Sequence, residues 1–412
     1  MTAKPATPVL PREVSLLRIV AQGLVGATAA PSAAEAVRRQ LAIQGQQVSA
    51  VPHALVVRVV GATGSDVAAA FARGDLVRSW PMRGTVHITT AADHHWLRVA
   101  LMHRLDAWVR RSEAELGISQ ALCEHAAEIA LAAIRERGPL PRAELLDAWA
   151  QAGLMAFAAG KDVSAYRRRH LLVRLQREGV LVQGPRRGNE HLVVDAAPFP
   201  SADSGPAGAG VARGQPGHTA ALAEIARRYA TSHGPISAGD LARWTTLPKR
   251  EAARALENAV EETTATSYRA DTARARVPLV RARADGGVRG RLRILGVGES
   301  APRTGLLYLR ADLPELLEAA RRQALAARFL ASFDELHVGY KDRSCLTGEA
   351  GERLICPAAN GMFRPLLVDR GRLVGVRPVG EGVLWLDGAA PSARVERDIT
   401  RAVAAVEKRL AR

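Results

Sequence analysis

Three glutamines lie close together between two apolar stretches, in the segment Ile43-Gln44-Gly45-Gln46-Gln47. Amide side chains seldom cluster there unless a ligand or the backbone satisfies them, because a buried amide without a partner costs about 1–3 kcal/mol. In an extended segment Gln44 and Gln46 lie on the same side of the chain. Two amides can therefore converge on one target. The alternative is a polar turn with its glutamines in water.

The elements around these glutamines predict helices followed by a hairpin. Helices are predicted over 12–30, 32–43, 50–61, 65–73 and 90–112, and two strands around a turn within 76–88. Three helices and a β-hairpin are typical of a winged helix, a helix-turn-helix variant that binds nucleic acid. We expect Arg83, Thr85 and His87 to share one face of the second strand and to contact DNA. The alternative for His87 is a purely structural role.

Residues 113–195 repeat this order of elements. Helices are predicted over 119–137, 142–151 and 163–178, with two strands and a turn over 179–194. The third helix and the turn are both basic, which fits phosphate contacts on two sides of a groove. The expected DNA contacts are Arg167, Arg168, Arg169, Arg174, Arg186, Arg187 and Asn189. The alternative is a charged face in water.

A third unit is predicted beyond a linker. Residues 196–217 are rich in Ala, Pro, Gly and Ser and predict that linker. Residues 138–145 align with 234–241 at an offset of 96 residues, which predicts a further winged helix over 218–295. Its helices are expected over 218–232, 237–244 and 248–261, and its wing over 265–295. Lys249 and Arg250, on the last of these helices, are expected to contact DNA.

The C-terminal region, residues 296–412, combines helices with short strands. Helices are predicted over 313–328 and 391–410, and strands over 336–340, 354–355, 361–368, 372–378 and 383–386. Short strands between Gly and Asp turns indicate a small β-barrel or sheet packed against helices. The predicted fold class is therefore α+β, with tandem winged-helix domains at 10–112, 113–195 and 218–295 and a C-terminal β-barrel.

Composition points to nucleic acid as the partner. The 412 residues carry a net charge of +16, mostly from arginine, which suits bidentate contacts with phosphate. Codon bias is the alternative source of an Ala- and Arg-rich composition. The three cysteines, Cys123, Cys345 and Cys356, match neither a disulfide framework nor a zinc site. We expect no metal or cofactor and, without a signal peptide or a long apolar run, a cytoplasmic monomer.

Five stretches in chain order carry a family resemblance. They are residues 43–46 (IQGQ), 78–87 (RSWPMRGTVH), 184–188 (GPRRG), 333–344 (FDELHVGYKDRS) and 360–365 (NGMFRP). Together they resemble the bacterial winged-helix DNA glycosylases, the AlkZ and YcaQ group, over almost the whole chain. The resemblance implies tandem winged helices and a β-barrel in a C-shape around duplex DNA. It also implies excision of N7-alkylated purines, including those in interstrand crosslinks.

The resemblance assigns roles to the glutamines. The family motif is Gln-x-Gln in the AlkZ branch and Gln-x-Asp in the YcaQ branch, so Gln44 and Gln46 are implied to be catalytic. Gly45 departs from the larger residue usual between them. Further DNA contacts are expected from Gln47, Lys341 and Arg343. Members of the AlkZ branch often protect producers of DNA-alkylating natural products, which implies self-resistance as the biological role.

Two amides suit one chemistry in particular. Glutamine is neither a useful acid nor a useful base, so such a site cannot easily expel an ordinary guanine. An N7-alkylated purine is cationic and leaves the sugar without needing a proton. The enzyme then needs only to position a water and to stabilise an oxocarbenium-like centre. We expect Gln46 to hold the water and Gln44 to contact the sugar-phosphate. No lysine lies near them in sequence, which favours a monofunctional hydrolase over a Schiff-base lyase. A bulky lesion cannot be flipped into a tight pocket, so we expect an open DNA-binding cleft.

Two other functions compete with this one. A winged-helix protein can be a non-catalytic binder, either a transcription regulator or a resistance protein that sequesters damaged DNA. A nuclease is a weaker candidate, because the sequence has no Asp and Glu cluster with two-metal spacing.

Overall fold

The computed structural model describes residues 9–154, 164–267, 277–284, 290–296, 299, 302 and 304–412. They form a mixed helical and β structure, as the predicted class requires. The helices are α1 (Arg12–Ala21), α2 (Ala33–Gln40), α3 (Ala50–Val56), α4 (Gly64–Ala72), α5 (Ala91–Leu101), α6 (Asp106–Leu116), α7 (Gln120–Arg137), α8 (Arg142–Gln151), α9 (Ser164–Glu178), α10 (His218–His233), α11 (Ala238–Thr245), α12 (Lys249–Ser267), α13 (Leu313–Ala324), α14 (Glu335–Val338), α15 (Glu349–Ile355) and α16 (Ala393–Leu410). The strands are β1 (Ile43–Gln44), β2 (Leu76–Met82), β3 (Thr85–Thr90), β4 (Leu181–Arg187), β5 (Glu190–Asp195), β6 (Leu279–Ala284), β7 (Leu292–Ile294), β8 (Leu306–Arg310), β9 (Arg328–Leu330), β10 (Leu366–Asp369), β11 (Arg372–Val376) and β12 (Leu384–Trp385).

The chain forms two compact units. The first comprises residues 1–40, 50–67 and 223–412, and the second comprises residues 41–49 and 68–222. The segment with the three glutamines thus belongs to the second unit, although the helices on both sides of it belong to the first. The domain boundaries inferred from sequence repeats remain a prediction.

One antiparallel sheet organises the second unit. Its strand order is β1-β3-β2-β4-β5, so the two hairpins that the sequence predicts separately are joined in one sheet. The junction is a pairing of Arg78 on β2 with Gln183 on β4. Helices α7, α8 and α9 bury one apolar cluster against β4 and β5, centred on the fully buried Trp149. This packing holds the second hairpin against a layer of helices.

The first unit contains two smaller sheets. The four C-terminal strands pair in the order β12-β11-β10-β9, and β7-β6-β8 form a three-stranded sheet. Apolar residues of α1 and α13 share a core with β10 and β11, while α16 packs its apolar stripe, including Ile399 and Val403, beside Phe329 on β9. In the described residues β12 and β9 do not pair with each other. The strands predicted as a small barrel therefore form an open sheet here.

Several predicted elements differ from the structure. Helix α1 ends at Ala21 rather than at residue 30, because the chain turns at Gly23, whose φ is +74°. The segments predicted as strands at 336–340 and 354–355 are instead the helices α14 and α15. Periodicity cannot distinguish a helix from a strand in apolar runs this short. In α14 the Asp334 side chain caps the helix by accepting a hydrogen bond from the Leu336 N–H at 2.9 Å. Strands β1, β8 and β9 were not predicted, and residue 43, expected to end a helix over 32–43, lies in β1.

Candidate active site

Gln44 lies in a polar row that crosses three strands. Gln44 on β1 lies directly opposite His87 on β3, and His87 in turn lies directly opposite Ser79 on β2. Residues directly opposite each other in antiparallel strands project to the same face. Gln44, His87 and Ser79 therefore project side by side from one face of the sheet, and all three are buried.

The two candidate catalytic amides have different environments. The Gln44 side-chain oxygen accepts from the Gly45 N–H at 3.1 Å, and the same N–H donates to the Val86 carbonyl at 2.9 Å. Gln46 is exposed, and its side-chain oxygen lies 3.5 Å from the Val86 nitrogen. The Gln44 amide is thus held on the edge strand of the sheet, whereas the Gln46 amide is accessible to water. Gln47 is half-buried and donates to the Ser49 hydroxyl at 3.1 Å.

A buried arginine holds the backbone of this motif from the opposite face. Arg78 Nε donates to the Gly45 carbonyl at 2.9 Å, and its terminal nitrogens donate to the Gln46 carbonyl at 3.4 Å and to the Gln183 side-chain oxygen. Burial lowers the pKa of Arg78 to about 10, so the group remains a cation at neutral pH. It links the glutamine segment to both hairpins.

Gly45 allows the segment to lie close to β3. A Cβ added there would be 3.0 Å from Ile88 Cδ1 and 3.3 Å from the His87 carbonyl carbon. The backbone at Gly45 is outside the left-handed region. The requirement for a small residue is therefore set by the available space and not by the backbone conformation.

The tip of the first hairpin corrects one prediction. Arg83 and Gly84 form its two-residue turn, with φ values of +57° and +67°. Positive φ at both positions is typical of a type I′ turn, whose twist matches that of the flanking strands. Arg83 therefore lies outside the strand, and the prediction that it shares a strand face with Thr85 and His87 was wrong. Thr85 and His87 do lie two residues apart on β3, and the Thr85 carbonyl is 2.9 Å from His87 Nδ1.

The basic residues of the second hairpin and its preceding helix fall into two groups. Arg169, Arg186, Arg187 and Asn189 are exposed, and Arg167 and Arg168 are half-buried. Arg174 is instead buried, where it pairs with Glu178 and donates to the Gln120 side chain at 3.1 Å. The structure thus separates Arg174 from the exposed basic residues.

Three predicted DNA contacts of the first unit lie around one cavity of about 870 Å³. They are Lys249, at the first turn of α12, and Lys341 and Arg343, in the loop after α14. Arg343 pairs with Glu352 at 3.3 Å and donates to His337 at 2.9 Å. Arg250 is exposed but does not line this cavity.

A family model described as DNA glycosylase AlkZ-like matches residues 37–412. This chain belongs to the AlkZ-like DNA glycosylase family. The match begins just before Gln44 and includes every candidate residue named above. No functionally curated protein matches the sequence. Among solved structures, the Streptomyces sahachiroi DNA glycosylase AlkZ is similar with a TM-score of 0.64 and 20% identity, over 97% of each chain, which establishes a shared fold.

The sequence assigned no individual role to three residues of the sheet that holds Gln44, namely Arg78, Ser79 and Gln183. Arg78 did carry a signal, because a charged residue inside a largely apolar strand needs a buried partner. Its partners, however, are backbone carbonyls from a segment 33 residues earlier and a side chain 105 residues later. Local sequence patterns contain no information on such distant pairs.

Two further features concern the described residues as a whole. No helix there is long and apolar enough to span a membrane. The described His, Cys, Asp and Glu side chains form no group of three that could hold a metal ion.

Proposed function

We propose that this chain is a monofunctional DNA glycosylase that hydrolyses the N-glycosidic bond of N7-alkylated, cationic purines. The single observation that supports it best is the placement of Gln44 and Gln46, one held in strand register and one open to water, in a member of the AlkZ-like family. The proposed substrates include bulky adducts and interstrand crosslinks in duplex DNA. The proposed biological role is self-resistance to a DNA-alkylating natural product.

The proposed reaction needs little from the protein beyond positioning. The C1′–N9 bond breaks and its electron pair moves onto the purine, which neutralises the cation without a proton. A water held by the exposed Gln46 adds its oxygen to C1′ and releases its extra proton to solvent. The buried Gln44 contacts the sugar-phosphate and contributes a fixed dipole near the oxocarbenium-like centre.

The arrangement of lysines supports hydrolysis over a lyase reaction. A Schiff base requires an amine beside C1′. No lysine lies near Gln44 and Gln46 in sequence, and Lys161, which belongs to the same unit as Gln44, lies outside the described residues. We therefore assign water, rather than an amine of the protein, as the nucleophile.

The proposed DNA-binding mode uses winged helices. Each of the sets α7 to α9 with β4 and β5, and α10 to α12 with β6 and β7, has three helices followed by a hairpin. This order supports winged-helix domains in both places, with the exposed Arg186 and Arg187 at the tip of one hairpin meeting the phosphate backbone.

Release of free base tests the proposal directly. The double variant Gln44→Ala with Gln46→Ala is incubated with a duplex containing 7-methylguanine, in the presence of a chelator. We expect base release to be abolished while duplex affinity stays within several-fold of the parent. Gln151→Ala, an exposed amide at the end of α8, is the matched control and is expected to retain full activity.

Three outcomes separate the candidate functions. Unchanged release by the double variant contradicts the assignment of the site. A parent protein that binds alkylated duplex but frees no base is a non-catalytic binder, such as a regulator or an adduct-sequestering protein. Strand cleavage that stops in chelator indicates a nuclease. A panel of duplexes with different N7-alkyl groups then identifies the preferred adduct.

A further inference from the structure

Five arginines line one cavity in the first unit, and none of them is among the DNA contacts predicted from the sequence. The cavity has a volume of about 400 Å³ and lies beside α2 and α10. The arginines are Arg38, Arg39, Arg227, Arg228 and Arg310. Three hydroxyl residues, Thr28, Thr231 and Ser232, complete its polar lining, and none of the described lining residues is acidic.

Carboxylates orient four of these arginines. Arg38 and Arg39 share one carboxylate, that of Glu35, at distances of 2.6 to 2.8 Å. Hydrogen bonds from Arg38 are the main reason that the pKa of Glu35 lies below its usual range, so Glu35 stays ionised. The guanidinium cations of Arg38 and Arg39 therefore share the single negative charge of the Glu35 carboxylate.

The other arginines are held in a similar way. Arg227 forms two bonds of 2.7 Å to Glu224, and Arg310 forms two bonds to Asp312. A guanidinium has five N–H donors, and a bidentate pair of this kind uses two of them. Each of these arginines therefore keeps donors for a further acceptor.

Arg228 makes the cavity a built feature rather than a patch of mobile side chains. It is buried, and it donates to the backbone carbonyl of Arg38. This contact ties α10 to the C-terminal turn of α2. Arg38 and Arg39 lie on that turn with about half of each side chain exposed, at 60% and 44%. The cavity thus combines a fixed base with accessible cationic groups at its rim.

We propose that this cavity binds a phosphodiester group of the DNA backbone. Planar guanidinium groups match two phosphate oxygens at once, and several converging arginines with hydroxyl donors suit an oxyanion better than a base or an apolar ligand. The inference rests on the proposed function for its ligand, duplex DNA. The site would supply phosphate contacts from the first unit beside α2, the helix that precedes the glutamine segment.

The salt dependence of duplex binding tests this site. Affinity for an unmodified duplex is measured by fluorescence anisotropy over a series of NaCl concentrations, for the parent and for Arg38→Gln with Arg39→Gln. Because each neutralised phosphate contributes about 0.9 to the slope of log affinity against log salt, the slope should become shallower by about 1 to 2. Arg401→Gln is the control, since Arg401 is exposed and pairs with Asp398 three residues earlier without lining the cavity.

A second variant keeps the test informative if the double variant is unstable. Arg227→Gln removes one guanidinium that α10 contributes to the cavity and is expected to make the slope shallower by about 1. Replacing chloride with inorganic phosphate at equal ionic strength should weaken duplex binding by the parent more than by the variants. A slope that is unchanged in both variants overturns the proposal, as does a parent that does not bind duplex. A parent with the expected slopes but without base release contradicts only the glycosylase function.

Discussion

Arg78 donates its Nε–H to the carbonyl oxygen of Gly45 across 2.9 Å, from the face of the sheet opposite to Gln44. Strand register places Arg78, Ile88 and Gln183 on that face, while Gln44, His87 and Ser79 project from the other. Gln44 is thus positioned by a cation that projects from the other face of the sheet. Arg78 is a positioning residue in this arrangement.

Arg78→Lys should slow base excision more than it weakens binding. A lysine has one charged nitrogen and cannot reach two carbonyls and an amide with the geometry of a guanidinium. We expect the single-turnover rate of 7-methylguanine release to fall at least tenfold while duplex affinity changes by less than threefold. Arg73→Lys is the control, because Arg73 is exposed and pairs with Asp75 two residues later. Equal losses in rate and affinity would argue against a positioning role.

Gly45→Ala should destabilise the protein through one specific contact. The new methyl group would lie 3.0 Å from Ile88 Cδ1, and overpacking of this kind typically costs about 1–3 kcal/mol. Ile88→Val removes that carbon atom. In a double-mutant cycle followed by urea unfolding, we expect Gly45→Ala to be less destabilising in the Ile88→Val background. Additive effects would show that Ile88 does not limit the residue at position 45.

Arg174 and Arg169 lie on the same helix but should respond to substitution in opposite ways. Arg174→Gln breaks the buried pair with Glu178, so we expect a lower free energy of unfolding by about 1–3 kcal/mol. Arg169 is exposed, so Arg169→Gln should leave stability unchanged and weaken duplex binding with a shallower salt slope. Thermal unfolding and anisotropy on the two variants check this. A stable Arg174→Gln variant with reduced duplex affinity would restore Arg174 as a DNA contact.

His191 should make stability fall in mildly acidic solution. Burial lowers its pKa to about 4, and its ring packs on Phe71 with centroids 4.4 Å apart. Since the unfolded histidine has a pKa near 6.5, the unfolded state binds more protons between pH 6.5 and pH 4, and stability drops as the pH falls through that range. From pH 7 to pH 5 this single group accounts for about 2 kcal/mol.

Urea unfolding at the two pH values measures that contribution. His191→Asn keeps a donor for the Gly184 carbonyl, which lies 2.7 Å from His191 Nδ1, but does not titrate. Its stability should therefore depend less steeply on pH than that of the parent. His125→Asn, at an exposed position on α7, is the control. If His191→Asn loses as much stability as the parent between pH 7 and pH 5, His191 does not titrate on unfolding as expected.

The sequence by itself determined the local elements and the motif. Helices α7, α8 and α9 and both hairpins of the second unit lie where periodicity predicts them, because a 3.6-residue or two-residue repeat is set by neighbours along the chain. The spacing of Gln44 and Gln46, and the family resemblance that includes it, were also readable in the sequence. The family match over residues 37–412 confirms that membership.

The tertiary structure alone decided how the motif is held. Pairing of Gln44 with His87, and of Arg78 with Gln183, joins segments 43 and 105 residues apart. No local pattern specifies such pairs, because they depend on which strand edges meet once the helices have packed. The same reason explains why the arginines around Arg228 were not recognised as one site. Their common surface exists only after α2 and α10 come together.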